Sequence, residues 1–197
     1  TYSNGTVHCV SPTSAQAGAA RVLSVSFESA QANQSTIVGV GTVATLYGTA
    51  QVVPSSGVAR LTSAAYDEKG SVVLSALDGD RPISSFSASF SVGMSGGSCG
   101  HAGISEHCGA EGMSFVYGPL LTSAFGEADV WAGLRVSMLT GSDPRLVVTY
   151  EEVVLATVPA ELRAEEMVPV FVRYGAAGLD VVYDGRALIT NLTVTRW

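Results

Sequence analysis

Residues Ser85–Val92 read SFSASFSV, in which serine alternates with an apolar side chain at every second position. A period of two places successive side chains on opposite faces of a β-strand. One face of this strand is therefore expected to enter a core, while the serines face outward. The stretch makes an all-β protein the first hypothesis.

The same period recurs later in the chain. It is found in four further segments, Leu134–Met138, Leu146–Tyr150, Leu179–Tyr183 and Leu188–Val194. Turn signals separate these segments, and Asp184-Gly185 is typical of a type I′ hairpin turn, which requires positive φ. Helix is expected only in Pro159–Met167, for a turn or two. The pattern predicts an all-β, antiparallel β-sandwich.

Composition and charge narrow the classes of function. The chain has 197 residues, of which 47% are hydrophobic and only 14% charged, against about 25% charged in typical soluble domains. The solubility of the protein must therefore depend on Ser, Thr, Gly and Asn, on attached sugar, or on burial of its surface in an assembly. Ten basic residues against 17 acidic ones argue against a nucleic-acid partner, because binding to phosphates requires clustered Lys and Arg.

Domain organisation is expected to be simple. We expect residues 19–197 to form one sandwich domain, and residues 1–18 to form an N-terminal arm that could add a strand. The longest apolar runs fall short of the roughly 18 residues that a membrane span needs, so no membrane insertion is expected. The first residues lack the pattern of a secretory signal, as expected of a mature or trimmed chain.

A family resemblance rests on several segments in order. Gly109–Gly118 reads GAEGMSFVYG and is followed by Gly133–Ser137, Val168–Tyr174 and Gly178–Gly185. Together they resemble the concanavalin A-like jelly roll of L-type lectins and the related laminin-G-like modules of extracellular surface proteins. The resemblance covers residues 37–197 and implies a jelly-roll topology.

The resemblance also implies a ligand site. In sugar-binding members, the loop that matches Gly109–Gly112 has Asp where Glu111 stands, and this carboxylate accepts hydrogen bonds from sugar hydroxyls. The glycine that follows, Gly112, lets the backbone approach the ligand. Tyr117 and Trp131 are candidates for an aromatic platform under a sugar ring, although large aromatic side chains in a sandwich are also typical of the core.

No metal and no other cofactor is predicted. The calcium and manganese site of the family matches Val136–Asp143, where Met138 or Leu139 replaces the carboxylate of the strand and leaves Asp143 alone. Tight calcium binding needs several oxygen ligands.

Catalysis is not predicted either. Glycosidases of the same fold use a Glu-x-Asp-x-x-Glu strand, and Glu127 and Asp129 supply only its first two carboxylates. Glu151 and Glu152 are adjacent, so on a strand they would point to opposite faces and make a poor acid and base pair.

The three cysteines and three glycosylation sequons suggest a secretory route. Cys99 and Cys108 enclose two histidines, which is compatible with a metal site, but we favour a disulfide. Cys9 is then either a free thiol or bonded to another chain. The sequons begin at Asn4, Asn33 and Asn191, and we expect an extracellular or cell-surface glycoprotein.

Two functions remain open. The first is a noncatalytic lectin-like module that binds carbohydrate or a glycoprotein for recognition or adhesion. The second is a structural subunit of an extracellular filament or cell-surface layer, which would self-associate through its N-terminal arm and its sheet edges.

Overall fold

The computed structural model describes residues 26–29, 34–36, 44–53, 58–62, 68–74, 85–94, 112–118, 132–141 and 143–194. Every regular element within these ranges is a β-strand. In chain order the strands are β1 (Ser26–Ser29), β2 (Gln34–Thr36), β3 (Ala44–Gly48), β4 (Gln51–Val53), β5 (Val58–Arg60), β6 (Gly70–Leu74), β7 (Phe86–Met94), β8 (Gly112–Tyr117), β9 (Leu134–Leu139), β10 (Arg145–Tyr150), β11 (Val153–Pro159), β12 (Ala164–Gly175), β13 (Gly178–Tyr183) and β14 (Arg186–Leu192). The all-β class is confirmed.

The strands form two main sheets and two short ribbons. One sheet has the order β14-β13-β12-β7-β1-β2, and the other is the meander β11-β10-β9-β8. The ribbons pair β3 with β6 and β4 with β5. Every pairing is antiparallel, as predicted.

A shared apolar core joins the inner faces of the two main sheets. In β7 the apolar set Phe86, Ala88, Phe90 and Val92 is buried as expected. The serines are less uniform than expected: Ser89 is exposed, Ser85 and Ser91 are half-buried, and Ser87 is buried. Phe115 of β8 bridges the sheets, because its ring centroid lies 5.9 Å from that of Phe86 and 5.8 Å from that of Phe90. Two antiparallel sheets packed in this way make a β-sandwich. The assignment to the jelly roll stays a prediction.

The prediction of a helix over Pro159–Met167 is wrong. β11 ends at Pro159, β12 begins at Ala164, and residues 160–163 cross from one sheet to the other without helical turns. Ala160 and Leu162 are buried on either side of the exposed Glu161, which is the period of an extended chain. The crossover is held by its carbonyl and amide groups, since the Tyr183 hydroxyl donates to the Leu162 carbonyl at 2.5 Å and the Ala160 amide donates to the Pro144 carbonyl at 3.1 Å.

Two hairpins close with residues of positive φ. Asp184 and Gly185 have φ of 50° and 72° and join β13 to β14, so the predicted type I′ turn is confirmed. Glu151 and Glu152 have φ of 47° and 68° and join β10 to β11. The expectation that these glutamates lie on a strand is therefore wrong, because together they are the turn.

Candidate functional site

The predicted ligand-binding residues are spread along β8. Gly112 and Tyr117 begin and end this strand, five residue steps and therefore about 17 Å apart. Tyr117 packs toward the core with Met113 and Phe115, whereas Gly112 belongs to the alternate set of positions. The structure thus does not bring Gly112 and Tyr117 together. Glu111 and Trp131 lie outside the described residues.

Gly112 is required by the close packing of β8 on β9. Its φ is 147°, and a Cβ atom at this position would lie 2.1 Å from the Met138 carbonyl oxygen. Because the obstacle is backbone, a side chain here would force the two strands apart. The glycine therefore fixes the backbone at the residue that directly follows Glu111 in the chain.

Tyr117 contributes its ring to the rim of the core. The ring stacks on Phe86 with centroids 4.8 Å apart and planes 20° apart. The ring centroid of Phe86 in turn lies 6.0 Å from that of Tyr174. This contact agrees with the interpretation of Tyr117 as a core residue, and its role in an aromatic platform for a sugar stays a prediction.

A second glycine contact closes the Tyr117 end of the sheet. The Cβ atoms that Gly118 and Gly133 lack would each lie 2.8 Å from the Cα atom of the other residue. The turn of the β10–β11 hairpin docks on Gly133: the Gly133 amide donates to Glu151 Oε1 at 3.0 Å, and the Glu151 amide donates to the Gly133 carbonyl at 3.2 Å. Glu151 is thus a positioning residue that the sequence analysis missed. The two charged residues Glu151-Glu152, between the alternating segment Leu146–Tyr150 and the apolar residues that begin at Val153, were the available signal.

The two ends of the four-stranded sheet carry different charged groups. The Glu151-Glu152 turn places two exposed carboxylates at the Tyr117 end. At the Gly112 end, Arg145 lies in the same row as Leu139, the register partner of Gly112, and its guanidinium pairs with the Asp143 carboxylate. Nearby, Arg163 Nε donates to the Thr140 carbonyl at 3.1 Å.

The structure describes Met138 and Asp143, which the sequence analysis compared with a metal site. Met138 is fully buried in the core, and the Asp143 carboxylate accepts from Arg145. Within the described ranges, no three His, Cys, Asp or Glu side chains lie close enough together to hold a metal ion.

The sequon that begins at Asn191 lies within the residues that the structure describes, at an irregular point of β14. Asn191 has φ of 52°, and the register between β13 and β14 shifts between Leu179 and Val181, so that β14 carries an extra residue there. The backbone amide of Asn191 donates to Asp180 Oδ1 at 2.8 Å, and Arg173 Nε donates to Asp180 Oδ2 at 3.0 Å. The hydrogen bond from Asn191, followed by that from Arg173, lowers the pKa of Asp180 below its usual range.

Several predicted features fall outside the described part of the chain. They are the N-terminal arm, the proposed disulfide between Cys99 and Cys108, Cys9, the sequons at Asn4 and Asn33, and the carboxylates of Glu127 and Asp129. These stay predictions.

Comparison with known proteins assigns the chain to no family. No model of a protein family, no curated protein and no solved structure matches the chain. The fold defines its class as an all-β protein built of antiparallel sheets. In the ranges that the structure describes, no helix is long and apolar enough to cross a membrane.

Proposed function

We propose that this protein is a noncatalytic, extracellular recognition or adhesion module that binds carbohydrate or a glycoprotein in a lectin-like manner. The proposal is carried by Gly112, which is locked against the Met138 carbonyl at the position that the resemblance assigns to the binding loop. A carboxylate next to a fixed backbone position can present its oxygens to sugar hydroxyls with little conformational entropy to lose. Glu111 is that carboxylate.

As part of this proposal, the protein is secreted, Cys99 and Cys108 form a disulfide, and the ligand site holds no metal. The Asp143 carboxylate, which stands in the segment matching the metal site of the family, is paired with Arg145. Glycan binding by this protein should therefore be unchanged by EDTA. Loss of binding in EDTA, restored by added calcium, would contradict a metal-independent site.

A glycan array tests the site directly. We expect the full chain to bind at least one class of glycan, and Glu111→Ala to lower the signal at least tenfold because the sugar hydroxyls lose their acceptor. Glu152→Ala is the matched control, since Glu152 is an exposed carboxylate in the turn at the opposite end of the sheet. No binding to any glycan, or equal losses in the two variants, would contradict the proposal.

A second candidate function is a structural subunit of an extracellular filament or cell-surface layer. It is favoured by β11, the outermost described strand of the four-stranded sheet. Val153–Pro159 carries no charged residue, and Val153 and Val154 are 48% and 59% exposed. Uncharged edge strands with exposed apolar side chains favour pairing with another chain.

Sedimentation of the full chain at increasing concentration tests this candidate. A structural subunit should form oligomers that Val154→Lys weakens, because a lysine on an edge strand opposes pairing. Val52→Lys is the control, as Val52 is 56% exposed on the separate β4–β5 ribbon. A second comparison removes residues 1–18. If all these proteins stay monomeric, the assembly function is wrong.

A further inference from the structure

The sequon Asn191-Leu192-Thr193 lies where the fold leaves room for an attached sugar. Asn191 and Thr193 are both exposed, whereas Leu192 and Val194 pack against the core. Among the described residues, the Asn191 hydrogen bond is made by its backbone amide, and its side-chain amide makes none. The side-chain nitrogen of Asn191, to which a glycan would be attached, therefore has no hydrogen-bond partner among the described residues.

The backbone around Asn191 is fixed, whereas its side chain makes no hydrogen bond to a residue that the structure describes. The positive φ of 52° is one that asparagine tolerates better than most residues. Opposite the bulge, a Cβ atom on Gly178 would lie 2.8 Å from the Asn191 carbonyl carbon and 2.7 Å from the Leu192 oxygen. The bulge is thus clamped between Gly178 and the Asp180 carboxylate, and a substituent on the side chain would not need to displace it.

From this geometry we infer that Asn191 carries an N-linked glycan that shields the β14 edge of the sandwich. In the attachment step, Asn191 Nδ2 attacks the anomeric carbon of a lipid-diphosphate-linked oligosaccharide. The bond from that carbon to the diphosphate oxygen breaks, the amide loses one proton, and the lipid diphosphate leaves. The inference rests on the secretory route of the proposed function.

The position of the glycan gives it a physical consequence. β14 is the terminal described strand of the six-stranded sheet, and β11, the outermost described strand of the other sheet, lies beside it. A hydrated oligosaccharide on this side would obstruct strand addition, which is one way in which proteins protect exposed edges. It would also supply polar surface to a chain with few charges.

Mass spectrometry of the full chain secreted by eukaryotic cells tests the attachment. Trypsin releases the sequon in one peptide, Ala187–Arg196, so it can be read separately from the sequons at Asn4 and Asn33. We expect this peptide to carry a glycan that peptide N-glycosidase removes, leaving Asp in place of Asn191. Thr193→Ala should abolish the modification, and Thr193→Ser, which preserves the sequon, should keep it.

Recovery of this peptide from secreted, folded protein only in the unmodified form would overturn the inference, as would a glycan that persists in Thr193→Ala. The shielding is tested by sedimentation of the secreted proteins at equal high concentration. We expect at least twice the oligomer fraction in Thr193→Ala as in Thr193→Ser, and equal fractions would overturn the shielding. Failure here leaves the glycan-array result unaffected, so the two proposals fail separately.

Discussion

The two hairpin turns with positive φ have the same length and the same sign of φ but are encoded differently. Asp184-Gly185 contains the residue that accepts positive φ without a steric penalty, and the sequence alone predicts it. Glu151-Glu152 contains two residues that rarely adopt this conformation. Turn chemistry explains the first hairpin, and some other interaction must hold the second.

That interaction is a contact distant in sequence. Glu151 exchanges two hydrogen bonds with Gly133, one through its carboxylate and one through its amide. At Gly185, by contrast, a Cβ atom would have no atom within 4 Å. A turn can thus be specified by its own residues or by the residues on which it docks, and only the first kind can be predicted from the local sequence.

Alanine in place of Gly133, on which the turn docks, is predicted to destabilise the fold most. In Gly133→Ala the new Cβ would lie 2.5 Å from the Tyr117 carbonyl and 2.8 Å from the Gly118 Cα, at φ of 85°. We expect a loss of about 3 kcal/mol in the free energy of unfolding, from the overlap and the strained backbone together. Urea unfolding of the full chain measures it.

Gly185→Ala is the matched control for that substitution. Its φ of 72° is equally positive but the space around it is open, so the expected loss is about 1 kcal/mol, the cost of the left-handed conformation alone. Equal losses at the two positions would show that φ, rather than the docking contact, decides the cost.

The next effect tests how the Asp184-Gly185 hairpin is tied to the rest of the sandwich. Tyr183 is buried and precedes this turn, and its hydroxyl donates to the carbonyl of the fully buried Leu162. Tyr183→Phe leaves that carbonyl without its donor, and we expect a loss of about 2 kcal/mol. Tyr174→Phe is the control, since in the described structure no hydrogen bond involves its hydroxyl, and it should cost less than about 0.5 kcal/mol.

The same tyrosine predicts a dependence on alkaline pH. Burial, followed by the negative charges of Asp184 and Glu161, raises the pKa of Tyr183 well above its ordinary value. A raised pKa favours the neutral form in the folded state, so this stabilisation is complete below about pH 10 and is lost as the pH rises further. The gap between the wild-type chain and Tyr183→Phe should therefore narrow above pH 10, and a constant gap would contradict the assignment.

The predictable part of the fold is the part whose signal is local. The alternation in Ser85–Val92 correctly identified β7 and its buried face, because burial on one side of a strand imposes a period of two. The crossover over residues 160–163 was misread because Glu161 and Arg163 suggested a helix. What fixes this segment is the burial of Leu162 and the hydrogen bond from Tyr183, which lies 21 residues later.

The candidate site was predictable to a smaller extent. Gly112 was singled out as the place where the backbone approaches a ligand, and this role stays a prediction. What the structure shows at Gly112 is a different close contact, with the Met138 carbonyl of the neighbouring strand. Glu151 was dismissed as half of a poor catalytic pair, because adjacent residues on a strand point to opposite faces. Its contact with Gly133 forms only when β9 and β10 pair. Residues that position others through such contacts leave little trace in a single sequence.

A smaller effect is expected from the carboxylate that supports β13 and β14. Asp180→Asn removes the charge that accepts from Arg173 and the Asn191 amide, and we expect a loss of about 1 kcal/mol near pH 7. Because the pKa of Asp180 is lowered in the folded state, its contribution is present above about pH 4 and declines as the pH falls. The difference between the variant and the wild-type chain should shrink as the pH falls below about 4, and a difference that does not shrink would point to lost packing instead.

A small change of the opposite sign, a gain in stability, is predicted for the Glu151-Glu152 turn. Glu152→Gly relieves a φ of 68°, and the gain exceeds the entropy that glycine adds to the unfolded chain, so we expect about 0.5 kcal/mol of added stability. Glu151→Gly relieves similar strain but removes the acceptor for the Gly133 amide, and it should therefore bring no gain. If both variants were equally stabilised, the carboxylate of Glu151 would contribute nothing to the docking, and the turn would be held by its backbone hydrogen bond to Gly133 alone.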